Sequence, residues 1–321
     1  MTPRRGLVLG GGGVLGGTWA VGALVAMEQH YGFAATDVDV IVGTSAGSFL
    51  ASLMGLGVTV PQLREQYAGA VVDEGPLAGY AFDPDLVTGG HRPARPKALT
   101  PGSPQLIRES LRHPGQFPAT AVLAAVIPQG ARELTGIGDI VSLAGGSHEW
   151  PQQPQTWVVA MDYASGRRVV FGRAGAPVAS LPEAVMASCA IPGWFSPVTI
   201  DGRAYVDGGT VSSTSIDALT HAGLDEVYVI APMVTAVQES APGVVARLAH
   251  RWRHEVTKQA RQEMRTLRES GVTVRMIGPG AQDLSAIGAN VMVGARQRSV
   301  LETSLATSPA AWVQADLDAQ E

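Results

Sequence analysis

The sequence predicts an α/β fold in which a parallel β-sheet is covered by helices on both faces. Short apolar runs alternate with helical patterns and glycine-rich turns from the N-terminus onward. This βαβα order places the strands in parallel and the helices on the two faces of the sheet. The composition agrees, because 321 residues that are 45% hydrophobic and 16% charged can bury a large core, which excludes a disordered or fibrous chain.

The first two strands are predicted from apolar runs that end near glycine. Residues 6–9 and 39–42 have the length and composition of buried strands. Each run leads through a glycine-containing turn into a helical pattern, the first at residues 18–30 and the second at residues 48–56. Further strands are predicted at residues 156–161, 168–171, 204–206, 226–231 and 272–277.

Residues 75–146 differ from the rest of the chain because proline and glycine recur between short helical patterns. Two of these patterns lie at residues 105–112 and 120–127. The composition indicates an insertion or lid rather than a part of the sheet. We therefore expect a single domain over residues 1–321, with a lid-like insertion at residues 75–146.

The C-terminal part of the sequence predicts a long outer helix and a solvated tail. Residues 243–270 carry an apolar stripe that includes Trp252, with Arg261 and Arg265 on the other side. Such a helix covers a sheet and exposes its basic face to water. The alternative is that the basic face approaches anionic lipid headgroups. The acidic residues interpreted as the tail are Asp316, Asp318 and Glu321.

Charge and cysteine content exclude several kinds of partner and site. The formal charge of −5 provides no basic field for nucleic acid. The single cysteine, Cys189, excludes an internal disulfide and a cysteine-based zinc site. We expect no metal and no cofactor, and the sequence leaves the oligomeric state open.

An uncharged stretch at residues 6–27 follows Arg4 and Arg5 and superficially resembles a signal peptide or a spanning helix. It contains eight glycines. Each glycine inside a helix costs roughly 1 kcal/mol relative to alanine, which argues against both interpretations. We therefore expect a cytoplasmic protein, with peripheral contact to a membrane as a further expectation.

The turn after the first predicted strand is a run of glycines, Gly10 to Gly13, followed by Gly16. The spacing formally fits a dinucleotide fingerprint, so an oxidoreductase is one alternative. That fingerprint requires an acidic residue at the end of the second strand, where this chain has Gly43-Thr44-Ser45. What remains is a loop whose backbone N–H groups, next to a helix N-terminus, can surround a negative atom.

The turn after the second predicted strand is Gly43-Thr44-Ser45-Ala46-Gly47, a G-x-S-x-G pattern between a strand and a helix. This is the arrangement of a nucleophile elbow, in which a sharp turn exposes the serine hydroxyl at the start of the helix. The alternative is a serine that only caps the helix. Both glycine turns leave the carboxyl ends of strands, where open α/β sheets place their sites. We therefore expect Ser45 to be a nucleophile, with Gly11, Gly12 and Gly13 donating to the oxyanion.

A serine nucleophile also needs a base, and none of the seven histidines lies in a glycine-rich loop at a strand end. The candidate is Asp207, which precedes Gly208 and Gly209 at the end of a short predicted strand. An ordinary aspartate has a pKa of about 3.9 and is a weak base, so its surroundings must raise that value. The alternative for this segment is an Asp-Gly hairpin turn.

With these motifs the sequence resembles the bacterial patatin-like phospholipases, which are serine lipid acyl hydrolases with a Ser-Asp dyad. The similar segments come in the family's order: residues 9–16, 43–47, 161–167, 187–198 and 207–209. The resemblance implies a three-layer α/β/α sandwich with a mostly parallel sheet, and hydrolysis of lipid acyl esters without metal or cofactor. In that mechanism Asp207 takes the proton of Ser45, Gly11 to Gly13 hold the oxyanion, and Asp207 later activates water.

The resemblance leaves the substrate open. Many members have a basic residue where this chain has Leu15, which puts a preference for phosphorylated substrates in doubt. Phospholipase A, lysophospholipase and general lipid acyl hydrolase activities all fit the motifs. A thioesterase or carboxylesterase with the same dyad is an alternative, as is a relative that binds membrane or ligand without catalysis.

Overall fold

A computed structural model describes residues 2–96, 98–145, 150–235 and 244–320 of the chain, and the side chains of residues 244–251 fall outside this description. Several predicted features therefore lie partly outside the described residues. These are the end of the insertion at Gly146, the start of the long helix at Gly243, and Glu321 in the predicted tail.

The described residues form one 8-stranded sheet in the order β5-β6-β3-β2-β1-β7-β8, and β4 pairs with β3 on its remaining edge. The strands are β1 (Arg5–Leu9), β2 (Val40–Thr44), β3 (Gln155–Asp162), β4 (Arg168–Phe171), β5 (Val198–Ile200), β6 (Arg203–Asp207), β7 (Glu226–Ile230) and β8 (Thr273–Ile277). Strands β3, β2, β1, β7 and β8 run parallel, whereas β4, β5 and β6 are antiparallel to their neighbours. The sheet is mostly parallel, as predicted.

The helices of the described residues cover both faces of the sheet. They are α1 (Gly13–Tyr31), α2 (Ala46–Gly55), α3 (Val60–Tyr67), α4 (Pro84–Thr88), α5 (Pro104–Arg112), α6 (Ala119–Val126), α7 (Thr135–Leu143), α8 (Leu181–Cys189), α9 (Val244–Glu269), α10 (Ala281–Ile287) and α11 (Gln297–Asp318). Alternation along β1 shows the two layers, because Leu7 and Leu9 pack with α1, α2 and α11, while Val8 packs with α9. The predicted α/β fold with helices on both faces is confirmed.

The predicted strands are all present, but outside residues 75–146 the sequence analysis missed β5 and four helices, α3, α8, α10 and α11. The interpretation of the acidic C-terminus as a solvated tail is wrong. Trp312 of α11 is buried and its Nε1 donates to the Ala23 carbonyl at 3.0 Å. Asp316 accepts a 2.6 Å hydrogen bond from Arg275 and a further contact from His30. These partners come from distant parts of the chain, so local composition gave no sign of them.

Residues 75–145 contain helices α4 to α7, which pack in two different places. Helix α7 joins the main core through Ile137 and Val141. Helices α5 and α6 form a separate small core with Tyr163 and Val206. The long helix α9 buries an apolar stripe as predicted, but Trp252 is 42% exposed and does not belong to that core. No helix in the described part of the chain is both long and apolar enough to cross a membrane.

Candidate active site

The ends of β2 and β6 meet beside the same strand, β3. Thr44, the last residue of β2, pairs with Val159, and Asp207, the last residue of β6, pairs with Ala160. Both pairs use the edge of β3 opposite β4. Because β2 runs parallel to β3 and β6 runs antiparallel, their carboxyl ends face each other. This topology brings Ser45, which follows Thr44, next to Asp207.

Ser45 occupies a sharp turn between β2 and α2. Its φ of 53° and ψ of −126° lie in a region that residues other than glycine rarely adopt, as expected of a strained functional turn. The flanking glycines make this turn sterically possible. A Cβ at Gly43 would collide with the Cα of Ser48, and a Cβ at Gly47 would collide with the carbonyl of Leu9.

Hydrogen bonds hold the backbone of the turn in place. The N–H of Ser45 donates to Ser188 Oγ at 2.9 Å, and that hydroxyl donates onward to the Val159 carbonyl at 2.6 Å. The Ser45 carbonyl accepts from Ser48 Oγ at 2.7 Å. Ser45 is 6% exposed, so the hydroxyl is positioned by a rigid, buried support. Sequence analysis missed Ser188 as a support, although the segment that contains it resembled the family.

The carboxylate of Asp207 is 5% exposed, and burial raises its pKa to about 6. Hydrogen bonds from the Ser45 hydroxyl and the Gly209 N–H oppose this rise. The Gly209 bond measures 2.7 Å. At neutral pH this carboxylate is ionised and more basic than an ordinary aspartate. Gly208 to Thr210 form a short 3-10 helix, so the alternative of a hairpin turn is wrong.

The glycine loop lies against Ser45, but its three predicted donors are not equivalent. A Cβ at Gly11 would lie 3.2 Å from the Ser45 Cβ, so glycine permits this close approach. The Gly11 N–H, however, donates to the Ser213 carbonyl at 2.8 Å. This bond removes Gly11 from the predicted oxyanion donors. Gly12 and Gly13, at the N-terminus of α1, have no backbone acceptor among the described residues and stay predicted donors.

Ser45, Asp207 and the three glycines line one cleft with a volume of about 590 Å³. Helices α6 and α9 also contribute to its wall, with Leu123 and Trp252 at exposed positions. Arg92 and Arg253 also line it. The sequence analysis did not find these four residues as site residues, because they carry no motif and reach the cleft through tertiary packing.

Leu15, at the position where many relatives have a basic residue, does not reach this cleft. Its side chain is fully buried in the main core, and its N–H donates to the Val291 carbonyl at 2.8 Å. No group of three or more side chains suited to a metal ion occurs among the described residues.

The sequence matches the patatin-like phospholipase family over residues 7–220. The chain belongs to this family. Membership confirms the resemblance predicted from the motifs and identifies the chain as a lipid acyl hydrolase acting on ester bonds. The match ends before β7, so the helices α9 to α11 lie beyond it.

Two solved structures are similar to this patatin-like chain at low sequence identity. VipD from Legionella pneumophila is 13% identical with a TM-score of 0.41, and the similarity covers 95% of this chain and 67% of VipD. The type III effector protein ExoU is 14% identical with a TM-score of 0.38, and the similarity covers 98% of this chain and 54% of ExoU.

Proposed function

We propose that this chain hydrolyses lipid acyl esters through a Ser45–Asp207 dyad. The observation that carries the proposal is the meeting of the two strand ends beside β3, which sets a buried carboxylate of raised pKa against a serine in a strained turn. Perturbed pKa values and strained backbone both concentrate at functional sites.

The reaction proceeds in two steps. In the first, the Ser45 oxygen attacks the ester carbonyl carbon and its proton passes to Asp207. The bond between that carbon and the alcohol oxygen then breaks, and Asp207 returns the proton to the departing alcohol. In the second step Asp207 takes a proton from water, whose oxygen attacks the acyl carbon. The bond between the acyl carbon and the Ser45 oxygen breaks, Asp207 passes its proton to that oxygen, and the carboxylic acid leaves.

The negative oxygen formed in each step is stabilised by Gly12 and Gly13. Their N–H groups lie at the N-terminus of α1, whose dipole also favours negative charge. Donors of this kind typically contribute ~10²–10³ in rate each. The Gly11 N–H supports the loop through Ser213 rather than contacting the substrate.

The mouth of the cleft suits a lipid at a membrane surface. Leu123 is 59% exposed and Trp252 is 42% exposed, so apolar side chains border the entrance. Arg92 and Arg253 add positive charge to the same wall. A phosphorylated headgroup is therefore met by these arginines and not by position 15, which supports a phospholipase subtype with peripheral membrane contact. We keep residues 75–146 as a lid-like part of one domain that covers the substrate.

The test is covalent labelling with a fluorophosphonate, which reacts with activated serines. We expect labelling of the wild-type chain and of a Ser299→Ala control, whose serine is exposed on α11. We expect no labelling of the Ser45→Ala variant. Labelling that persists in Ser45→Ala would exclude Ser45 as the nucleophile.

A further inference from the structure

Ser45 lies between two cavities rather than one. Besides the cleft, a small pocket adjoins the nucleophile, and four residues line both cavities: Gly13, Ser45, Ile191 and Met292. Asp207, Gly11 and Gly12 line only the cleft. The two cavities therefore present different chemistry to the two halves of an ester bound at Ser45.

The pocket is walled by two layers of the protein. On one side are α1 and α2, which contribute Gly17, Ala46 and Phe49. On the other side are residues of the insertion, including Val87 and Ile137. The one hydroxyl contributed by α4, that of Thr88, is satisfied by the Pro84 carbonyl at 2.7 Å. The wall is almost entirely apolar, so it suits hydrocarbon and not a headgroup.

An aromatic stack closes part of this pocket. The ring of Phe82 is stacked on Tyr67 with centroids 4.8 Å apart and on Phe49 with centroids 6.0 Å apart. Phe49 and Tyr67 are buried, whereas Phe82 is half-buried and lies just before α4. Phe82 is therefore the member of the stack that the insertion supplies, and its ring forms part of the pocket wall.

We propose that the acyl chain of the substrate binds in this pocket, and that Phe82 determines how long a chain it accepts. The proposal rests on the proposed function, because it divides an ester at Ser45 into two parts. In the acyl-enzyme, water must reach both the acyl carbon and Asp207. Since Asp207 faces only the cleft, the departing alcohol and the incoming water use the cleft, and the acyl chain extends the other way.

The free volume of the pocket sets the length of the acyl chain that it accepts. The pocket holds about 60 Å³, whereas an engineered apolar cavity of about 150 Å³ binds a benzene ring. By that proportion the pocket takes an acyl chain of about two or three carbons with Phe82 in place. Longer acyl chains, such as those of membrane phospholipids, therefore enter only when the Phe82 ring moves aside.

Two substitutions change the pocket in opposite directions. Phe82→Ala removes the ring and enlarges it. Gly17→Ala adds a methyl group whose carbon would lie 3.4 Å from the Ala46 Cβ and 3.7 Å from the Tyr67 hydroxyl, both ordinary contacts. Alanine is also favoured over glycine inside a helix, so this variant folds. Leu86→Ala is the matched control, because Leu86 is exposed on α4 and lines neither cavity.

The experiment measures kcat/KM for p-nitrophenyl esters from acetate to decanoate. We expect Phe82→Ala to raise the ratio of long-chain to short-chain kcat/KM by about fourfold for each methylene newly buried. Gly17→Ala should lower the same ratio, and Leu86→Ala should leave it at the wild-type value. Thermal unfolding of each variant confirms that the proteins compared are folded.

Other outcomes separate the two proposals. If Ser45 is labelled and esters are hydrolysed but neither Phe82→Ala nor Gly17→Ala moves the ratio, the acyl pocket is overturned and the proposed function stands. If Leu123→Ala in the cleft moves the ratio instead, the acyl chain lies in the cleft and the assignment is again overturned. Absence of both hydrolysis and labelling in the wild type would overturn the proposed function itself.

Discussion

The Gly11 N–H donates a 2.8 Å hydrogen bond to the carbonyl of Ser213, which joins the glycine loop after β1 to the segment that follows Asp207. That segment is held in turn by Glu263 of α9. Its carboxylate accepts from Thr214 Oγ1 at 2.8 Å and from the Ile216 N–H at 3.0 Å. A buried side chain on an outer helix therefore supports the loop that lies against the nucleophile.

Glu263→Ala should destabilise the protein and reduce hydrolysis. The substitution leaves a buried N–H and a hydroxyl without their acceptor, which costs about 2–4 kcal/mol in the free energy of unfolding. Loss of this support also frees Ser213, so kcat should fall more than KM changes. Urea denaturation and steady-state kinetics measure the two effects. Glu255→Ala, exposed on the same helix, is the control, and equal stability of the two variants would contradict the argument.

Hydrolysis should rise with pH through about 6 and then level off. Asp207 must be ionised to accept the serine proton, and burial raises its pKa to about 6. The profile of kcat/KM against pH reports the free enzyme, so its acid limb should have that midpoint. A midpoint near 4 would mean that the carboxylate is not desolvated in solution.

Asp207→Asn should abolish most hydrolysis while stabilising the fold at neutral pH. Because the folded-state pKa of Asp207 is raised, the folded protein binds a proton more tightly than the unfolded chain does, and stability falls as pH rises from about 4 to about 6. Above that range, the buried charge costs up to about 3 kcal/mol, since each pKa unit is worth about 1.4 kcal/mol. Asparagine avoids this cost and keeps an oxygen for the Gly209 N–H.

The measurement is the unfolding free energy of both proteins at pH 4 and pH 7.5. We expect the Asp207→Asn variant to be more stable than the wild type at pH 7.5. The difference between their unfolding free energies should vanish at pH 4. A variant that is less stable at both pH values would show that the carboxylate has a structural role. Near-wild-type hydrolysis by the variant would assign the base to another residue.

The sequence was sufficient for the parts of the site that depend on local backbone chemistry. Glycines at 43 and 47 around a serine imply a sharp turn whatever surrounds it, and the structure shows the collisions that other residues would cause. The hydrogen bond from the Gly11 N–H could not be predicted, because its acceptor, the Ser213 carbonyl, comes from a distant segment. For the same reason the sequence did not reveal Arg92 or Trp252 as lining the cleft.

Gly47→Ala should prevent stable folding of the elbow. The added Cβ would collide with the backbone carbonyl of Leu9 in the interior strand β1, and a backbone atom in a sheet has little freedom to move. We expect a loss of about 3 kcal/mol in the free energy of unfolding, at the upper end of the usual cost of overpacking. Gly17→Ala, with ordinary contacts only, is the matched control. Similar unfolding midpoints for both variants would show that the turn tolerates a side chain.

Arg92→Glu should reduce hydrolysis of anionic phospholipids more than hydrolysis of an uncharged ester. Arg92 lines the cleft beside Ser45, and a basic residue near a lipid surface contributes about 1 kcal/mol toward an anionic lipid. The substitution removes one attractive charge and adds one repulsive charge, so its effect is about twice that value. The kcat/KM on phosphatidylglycerol vesicles should therefore fall roughly ten- to thirtyfold. Activity on p-nitrophenyl butyrate should change little, and added salt should shrink the difference because it screens exposed charges. Arg95→Glu, three positions along and outside the cleft lining, is the control. An equal loss in both variants would mean that general surface charge, and not a headgroup contact at Arg92, attracts the lipid.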